Sequence, residues 1–323
     1  MAVICDNTGE CLAEQLRGGT AGANDADDHI ALLTRAIAQI PEPWRHNLLI
    51  TADGAGATHK LLAWIASLNR EPRGDDPGMR VEYSVGWPAD KHTGRAIAKL
   101  PADAWTAMLA ADGQPGIPAT LDADSGPDTV GEVADITVLL PHLHTWPQGQ
   151  QVFARRVKPL RDTTPKPLPG TGQLALDLQQ QAAGWRYEAF ATNSPAAGPR
   201  EDAGEVAACL DGRHRVHARV EDHFKEGNTT GADRLPSQSF ATNTTWYRTH
   251  AIACDLIAWL QLLACDGHQA RAEPATLQYQ VFHTPATLTR GGRQRRLNFP
   301  AHWPWTHHIQ AIFTRLLAIP APT

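Results

Sequence analysis

Apolar positions along the first part of the chain switch between the two-residue period of strands and the 3.6-residue period of helices. AVICDN and ECLAEQL read as two short strands joined by a tight turn at Thr8-Gly9. GGTAGAN is loop. Asn24 or Asp25 then caps a helix with Asp27 and Asp28 in its first turn, where carboxylates suit the helix dipole. Ile30, Leu33, Ile37 and Ile40 fall at helical spacing and turn one face to a core, and Pro41 and Pro43 end the helix. An apolar strand, Leu48 to Ile50, runs into Asp53 and a Gly-rich turn. THKLLAWIASLN is a second amphipathic helix carrying Leu61, Ile65 and Leu68, and MRVEYSVGW is another strand. Strand–helix–strand–helix–strand predicts an α/β layer around a mostly parallel sheet.

From about Pro88 to Pro199 the pattern changes to Pro, Gly, Thr and short β-like runs: EVADITVLL, QQVFARRVKPL and WRYEAFATN. A β-rich insertion is expected there, with RDTTPKPLPGTGQ as a flexible loop. Helical periodicity returns at Glu205 to Glu226 and at Asn243 to Cys265. LQYQVFHT and ATLTRGGRQRRLNF read as a hairpin turning at Gly291-Gly292, and HHIQAIFTRLLAI as a final helix. The helix containing ACDLIAWLQLL is expected to pack into a core.

Composition narrows the classes. Hydrophobic residues at 42% and charged residues at 20% over 323 residues are ordinary for a folded chain. The net charge of −5 means that any nucleic-acid surface must come from local Arg and Lys clusters. Five cysteines form no CxxC pair and no zinc-ligand spacing, so reduced thiols are expected. The longest apolar run, Ala251 to Cys265, contains Asp255 and is too short to span a bilayer. MAVICDNTGE lacks the basic-then-apolar pattern of a leader, so a cytoplasmic protein with no membrane partner is expected.

Two carboxylates stand out. Asp53 follows an apolar strand and precedes glycine and a helix, where α/β folds place ligands, though a strand-end Asp is also a common helix cap. On RHRVHARVEDHFKEG, Arg213, His217, Glu221 and Lys225 are four apart and share one helix face. That face suits a site where metal ions and phosphates meet; a solvated helix with i,i+4 ion pairs has the same pattern. DNA phosphodiester transfer requires two Mg²⁺ ions roughly 4 Å apart, held by a few carboxylates that can be distant in sequence.

The stretches DNTGECLAEQLRGGTAGANDADDHI, TADGAGATHKLLAW, YSVGWP, LPADAW, AFATNSP, RHRVHARVEDHFKEG, RLPSQSFATNTTW and ACDLIAWLQLLACDG resemble, in order, the DDE-group-one insertion-sequence transposases of the thirteen-eighty family. The resemblance implies an RNase H-like α/β core with a β-rich insertion and a carboxy-terminal helical and hairpin extension. Its segments are 1–88 for the first part of the core, 89–198 for the insertion, 199–265 for the last part of the core and 266–323 for the hairpin and helix. Asp53 matches the family's second catalytic Asp and Glu221 its Glu, both as ligands of Mg²⁺ or Mn²⁺. The implied partners are double-stranded DNA, at transposon ends and target, and a second copy forming a homodimer on DNA, in a bacterial, nucleoid-associated setting.

Two departures qualify that match. The family's first catalytic Asp lies upstream of Met1, and Asp6 matches a non-catalytic position. An amino-terminally truncated chain, marginally stable and catalytically incomplete, is therefore expected; the alternative function is an inactive remnant that binds DNA or full-length transposase. At Asn228 the family tends to carry a phosphate-contacting Lys, with Lys225 one turn earlier here. Arg213, Arg215, Arg219 and Lys225 are the candidates for phosphate contacts near Glu221, with His217 on the same face. Trp246 suits stacking on a flipped base or a place in the core. Arg290, Arg293, Arg295 and Arg296 form a second basic cluster, either a solvated loop or a DNA clamp. His142, His144 and the pair His307-His308 read as strand-edge and surface residues.

Overall fold

The computed structural model describes residues 1–19, 21–22, 25–109, 129–159, 184–195, 202–215, 223, 227, 231–300 and 302–320. They divide into two compact units, Gly19–Ala218 and the pair of segments Met1–Gly18 and Arg219–Thr323.

In chain order the elements are β1 (Ala2–Ile4), β2 (Cys11–Glu14), α1 (Ala26–Gln39), β3 (Asn47–Ala52), α2 (His59–Ser67), β4 (Arg80–Pro88), α3 (Lys91–Ile97) and β5 (Thr106–Ala107). They continue with β6 (Thr129–Asp135), β7 (Gln151–Pro159), β8 (Arg186–Thr192), α4 (Ala203–His214) and α5 (Phe240–Ala264). The last are α6 (Pro274–Leu277), β9 (Thr287–Gly291), β10 (Gln294–Asn298) and α7 (Thr306–Leu317).

The unit Gly19–Ala218 is built on a six-stranded mixed sheet of order β3-β4-β8-β7-β6-β5. Only β3 and β4 run parallel, with Asn47 opposite Arg80 and Ala52 opposite Val85. Every other pair is antiparallel, which corrects the expected mostly parallel sheet. The β-like runs after Pro88 do not stack elsewhere: β8 pairs directly with β4, and β7, β6 and β5 extend the same sheet. Apolar alternation alone does not distinguish a strand that returns by a hairpin from one that returns through a helix.

Alternation along β4 sorts the layers. Glu82, Ser84 and Gly86 face α4, where the Ser84 hydroxyl lies 2.9 Å from His214 Nδ1 and Arg213 meets Glu82 at 2.7 Å. Val85 faces the other way, toward the turn before α2, and Leu61, Leu62 and Ile65 are fully buried there. Under α4 the core is Val133, Phe153, Phe190, Ala207, Ala208 and Leu210. The Phe190 ring stacks on Phe153 at 5.2 Å and on His214 at 4.4 Å, each buried ring contributing roughly 1.5–3 kcal/mol of transfer free energy. Gly86 makes that packing possible, because a Cβ there would lie 2.8 Å from His214 Nε2.

The helices follow their caps. Asp25 begins α1, its carboxylate accepting from the Asp27 N–H, and Thr58 begins α2 in the same way through Leu61. The helix α3 breaks the expected β-rich run; Asp90 caps it by accepting from the Thr93 N–H at 2.8 Å.

In the other unit, β1 and β2 form a two-stranded antiparallel sheet closed through Gly9, whose φ is +76°. The 25-residue helix α5 packs on β2, and α7 packs on α5, with Ile309 and Ile312 buried. Two expectations fail here. LQYQVFHT is no strand: it continues α6 into a π-helical turn, Gln278–Phe282, and the hairpin lies wholly within β9 and β10. The α5 helix is not a core helix either. Ile252, Leu256, Trp259, Leu262 and Leu263 stay exposed, and only Asn243 and Ala264 of this helix are buried. No helix of the described residues is long and apolar enough to cross a membrane.

Candidate functional site

Asp53 stands one residue beyond β3, at the carboxy end of the parallel pair. Its backbone is extended, and its exposed carboxylate accepts a hydrogen bond from the Ala55 N–H at 3.0 Å. That bond takes one lone pair and leaves the carboxylate free to meet a cation. The turn behind it is tight. The Gly56 N–H donates to the Asp53 carbonyl at 2.9 Å, and a Cβ on Gly56 would fall 2.5 Å from that of Ala52. Gly54 lies against the end of β4, within 3.6–3.7 Å of Gly86, Trp87 and Pro88 measured from an added Cβ. Glycines at 54 and 56 therefore fix where the carboxylate sits relative to the strand ends.

The neighbouring strand ends in the same fashion. Two residues past β4, Asp90 caps α3; burial would raise its pKa, but hydrogen bonds from the Thr93 N–H and hydroxyl outweigh this and hold it below the usual carboxylate range. Beside it, Trp87 donates to the Thr93 hydroxyl at 3.2 Å and meets Trp146 edge-on at 5.9 Å. His59, at the start of α2, reaches the Thr145 carbonyl at 2.6 Å. Asp90 was not singled out from the sequence, although YSVGWPAD repeats the apolar-strand-then-Asp pattern of LLITAD.

The α4 arginines are engaged inside the unit. Arg213, 38% exposed, pairs with Glu82, which also pairs with Arg80 at 2.8 Å. Arg215, 9% exposed, donates to Asp211 at 2.9 Å and to the Leu109 carbonyl. Asp211 is fully buried and also meets Arg155 Nε at 2.8 Å, off the N–H axis, so that contact is an ion pair without a hydrogen bond. Arg155 reaches onward to Glu188 at 3.0 Å. No local pattern marks this buried chain, because Asp211 on α4 meets Arg155 on β7, which is distant in the sequence.

Glu221, His217, Arg219, Lys225 and Asn228 lie outside the described residues. In the other unit Trp246 is half-buried on α5, and its indole N–H is buried with no partner among the described residues. His307 is exposed as expected; His308 instead turns inward to line an open cleft of about 350 Å³ with Asp266, Gln280 and Trp305. His142 and His144 fall in a 3₁₀ turn, Pro141–Thr145, and not on a strand edge. Among the described residues no group of three or more His, Cys, Asp or Glu could hold a metal ion.

A mixed α/β sheet with an exposed carboxylate at the end of its parallel pair is an arrangement suited to ligand binding at strand ends. Residues 2–321 match the family model described as transposase DDE domain group 1. The chain belongs to that transposase family. No curated protein matches it.

Proposed function

We propose that this chain is the transposase of a bacterial insertion sequence of the thirteen-eighty branch, acting by cut-and-paste strand cleavage and transfer on an RNase H-like core. The family match along nearly the whole chain carries this proposal. Asp53 supports it, as an exposed, singly hydrogen-bonded carboxylate at a strand end.

Asp53 and Glu221 are assigned as ligands of Mg²⁺ or Mn²⁺. Bound there, such ions would activate the attacking oxygen and stabilise the leaving one. Asp53's own part is to present a carboxylate in a fixed direction: its Ala55 hydrogen bond and the glycine turn limit the rotamers it explores. Arg213, Arg215, His217, Arg219, Lys225 and Asn228 are assigned to the DNA backbone and Trp246 to a base. Arg213 is the more accessible of the two described arginines, because Arg215 would have to leave Asp211. The acting species is proposed to be a homodimer on duplex DNA, in the bacterial cytoplasm at the nucleoid.

A second function has one observation in its favour. Asp53 follows β3, which among the described residues is an edge strand of its sheet, with one side open to pairing with another chain. A chain that binds DNA or a complete transposase without cutting fits that position. Incubating the chain with duplex DNA spanning the ends of its own element separates the two. Strand breaks in Mg²⁺ or Mn²⁺ that vanish with chelator are expected of the enzyme; DNA retention without breaks identifies the binding protein.

A further inference from the structure

The β9–β10 hairpin stands bare in solvent, every residue of both strands being exposed. It carries Arg290, Arg293, Arg295 and Arg296, and residues 285–300 contain no Asp or Glu, in a chain whose net charge is −5.

Its register sorts two different faces. Thr287 pairs with Asn298, Thr289 with Arg296 and Gly291 with Gln294, and the polar side chains of this face are hydrogen-bonded within the hairpin. The Asn298 amide donates to the Thr289 hydroxyl at 3.1 Å, and Arg296 donates to the Gln294 side-chain Oε1 at 3.0 Å. On the opposite face Leu288 pairs with Leu297, and Arg290 lies directly across from Arg295. Like charges at opposed cross-strand positions repel. Among the described residues, no carboxylate forms an ion pair with any of the four arginines.

The turn adds a second observation. Gly292 and Arg293 have φ of +56° and +62°, so both central residues of the two-residue loop are left-handed. Such turns favour Gly or Asn at these positions, because a Cβ crowds the following carbonyl. Arg293 is the one non-glycine residue with positive φ among the described residues. The strain is tolerated at the position that puts a guanidinium on the hairpin tip.

We propose that β9–β10 is a DNA-binding ribbon whose arginines grip the phosphates bordering a groove of duplex DNA. A two-stranded ribbon fits the major groove, about 12 Å wide, and an uncompensated arginine pair is stabilised by a polyanion. The choice of duplex DNA over an acidic protein rests on the transposase function proposed above.

The test is the salt dependence of binding between the full chain and a mixed-sequence duplex, read by fluorescence anisotropy. Replacing all four arginines (R290Q, R293Q, R295Q, R296Q) should reduce the magnitude of the slope of log K against log salt by about 3.6, each phosphate contact being worth about 0.9. Arg293→Gly relieves the left-handed strain, so it should lower the slope by about 1 while leaving the melting temperature equal or higher, a combination that misfolding cannot produce. Wild-type slopes in both variants would overturn the hairpin's role and leave the transposase function standing. So would a change confined to the oligomeric state with DNA binding intact, which would mark a protein-binding face. A wild-type chain that ignores duplex DNA altogether would overturn both.

Discussion

Asp255, on α5, accepts the Cys11 N–H at 2.7 Å, joining helix to strand through one carboxylate. Burial raises its pKa above the ordinary 3.8; the Cys11 hydrogen bond opposes this, and the charges of Glu10 and Glu14 add to it. Cys11 itself is pushed up to about 12, chiefly by burial and then by Asp255, so its thiol is neutral and unreactive at neutral pH. A raised acid pKa means the folded chain holds that proton more tightly than the unfolded one. The contribution to stability is therefore greatest below pH 3.8 and falls as pH rises through the folded value. Asp255→Asn keeps an oxygen for the Cys11 N–H and removes the charge. Its melting temperature at pH 7 should exceed the wild type's, with the gap closing below pH 3.8; a lower melting temperature at pH 7 would refute the assignment. At this scale the strand-end position of Asp53 was legible in the sequence because an apolar strand, an Asp and glycines are adjacent. Asp255 was legible only as a polar interruption of an apolar run, since its partner lies 244 positions away.

Between elements, one tie that holds α4 to the sheet is Asp211 with Arg155 on β7 and Arg215 at the helix end. Removing the charge of a fully buried carboxylate leaves Arg215 without its ion pair and Arg155 with Glu188 in place of two carboxylates, which costs about 3–5 kcal/mol. Asp211→Asn should lose stability on that scale in a denaturant titration. A double change to apolar residues, Arg155→Met with Asp211→Leu, should recover part of it; a single change costing under about 1 kcal/mol would show the triad to be unimportant. Element identity was legible wherever a cap and a period agree, as at Asp25 and α1 or Thr58 and α2. It failed where only the period was available. Tyr279 and Phe282 in LQYQVFHT suggested a strand, but Pro274 sits in the first helical turn, where its missing N–H costs nothing, and the helix runs on into them. Strand direction was likewise illegible, because it is set by which strand lies next to β4, and β8 comes about a hundred residues later.

For the whole molecule, the described residues form two compact units whose surfaces differ in kind. The sheet unit carries Asp53 and Asp90 at adjoining strand ends, with Arg213 paired to Glu82 and Arg215 to Asp211. The unit of Met1–Gly18 and Arg219–Thr323 carries the bare arginine hairpin and the exposed apolar face of α5. The net charge of −5 says nothing of the basic element, which was legible only as the clustering of Arg290, Arg293, Arg295 and Arg296. The role proposed for the Asp53 carboxylate is that of a metal ligand in DNA strand cleavage. The most direct measurement is cleavage of DNA from the element's ends by Asp53→Cys in Mg²⁺ and in Mn²⁺. A thiolate is a poor ligand for Mg²⁺ and a better one for the softer ion. The variant should fall at least about 100-fold in Mg²⁺ and recover in Mn²⁺, with DNA affinity unchanged. Equal cleavage by variant and wild type in Mg²⁺ would contradict the assignment.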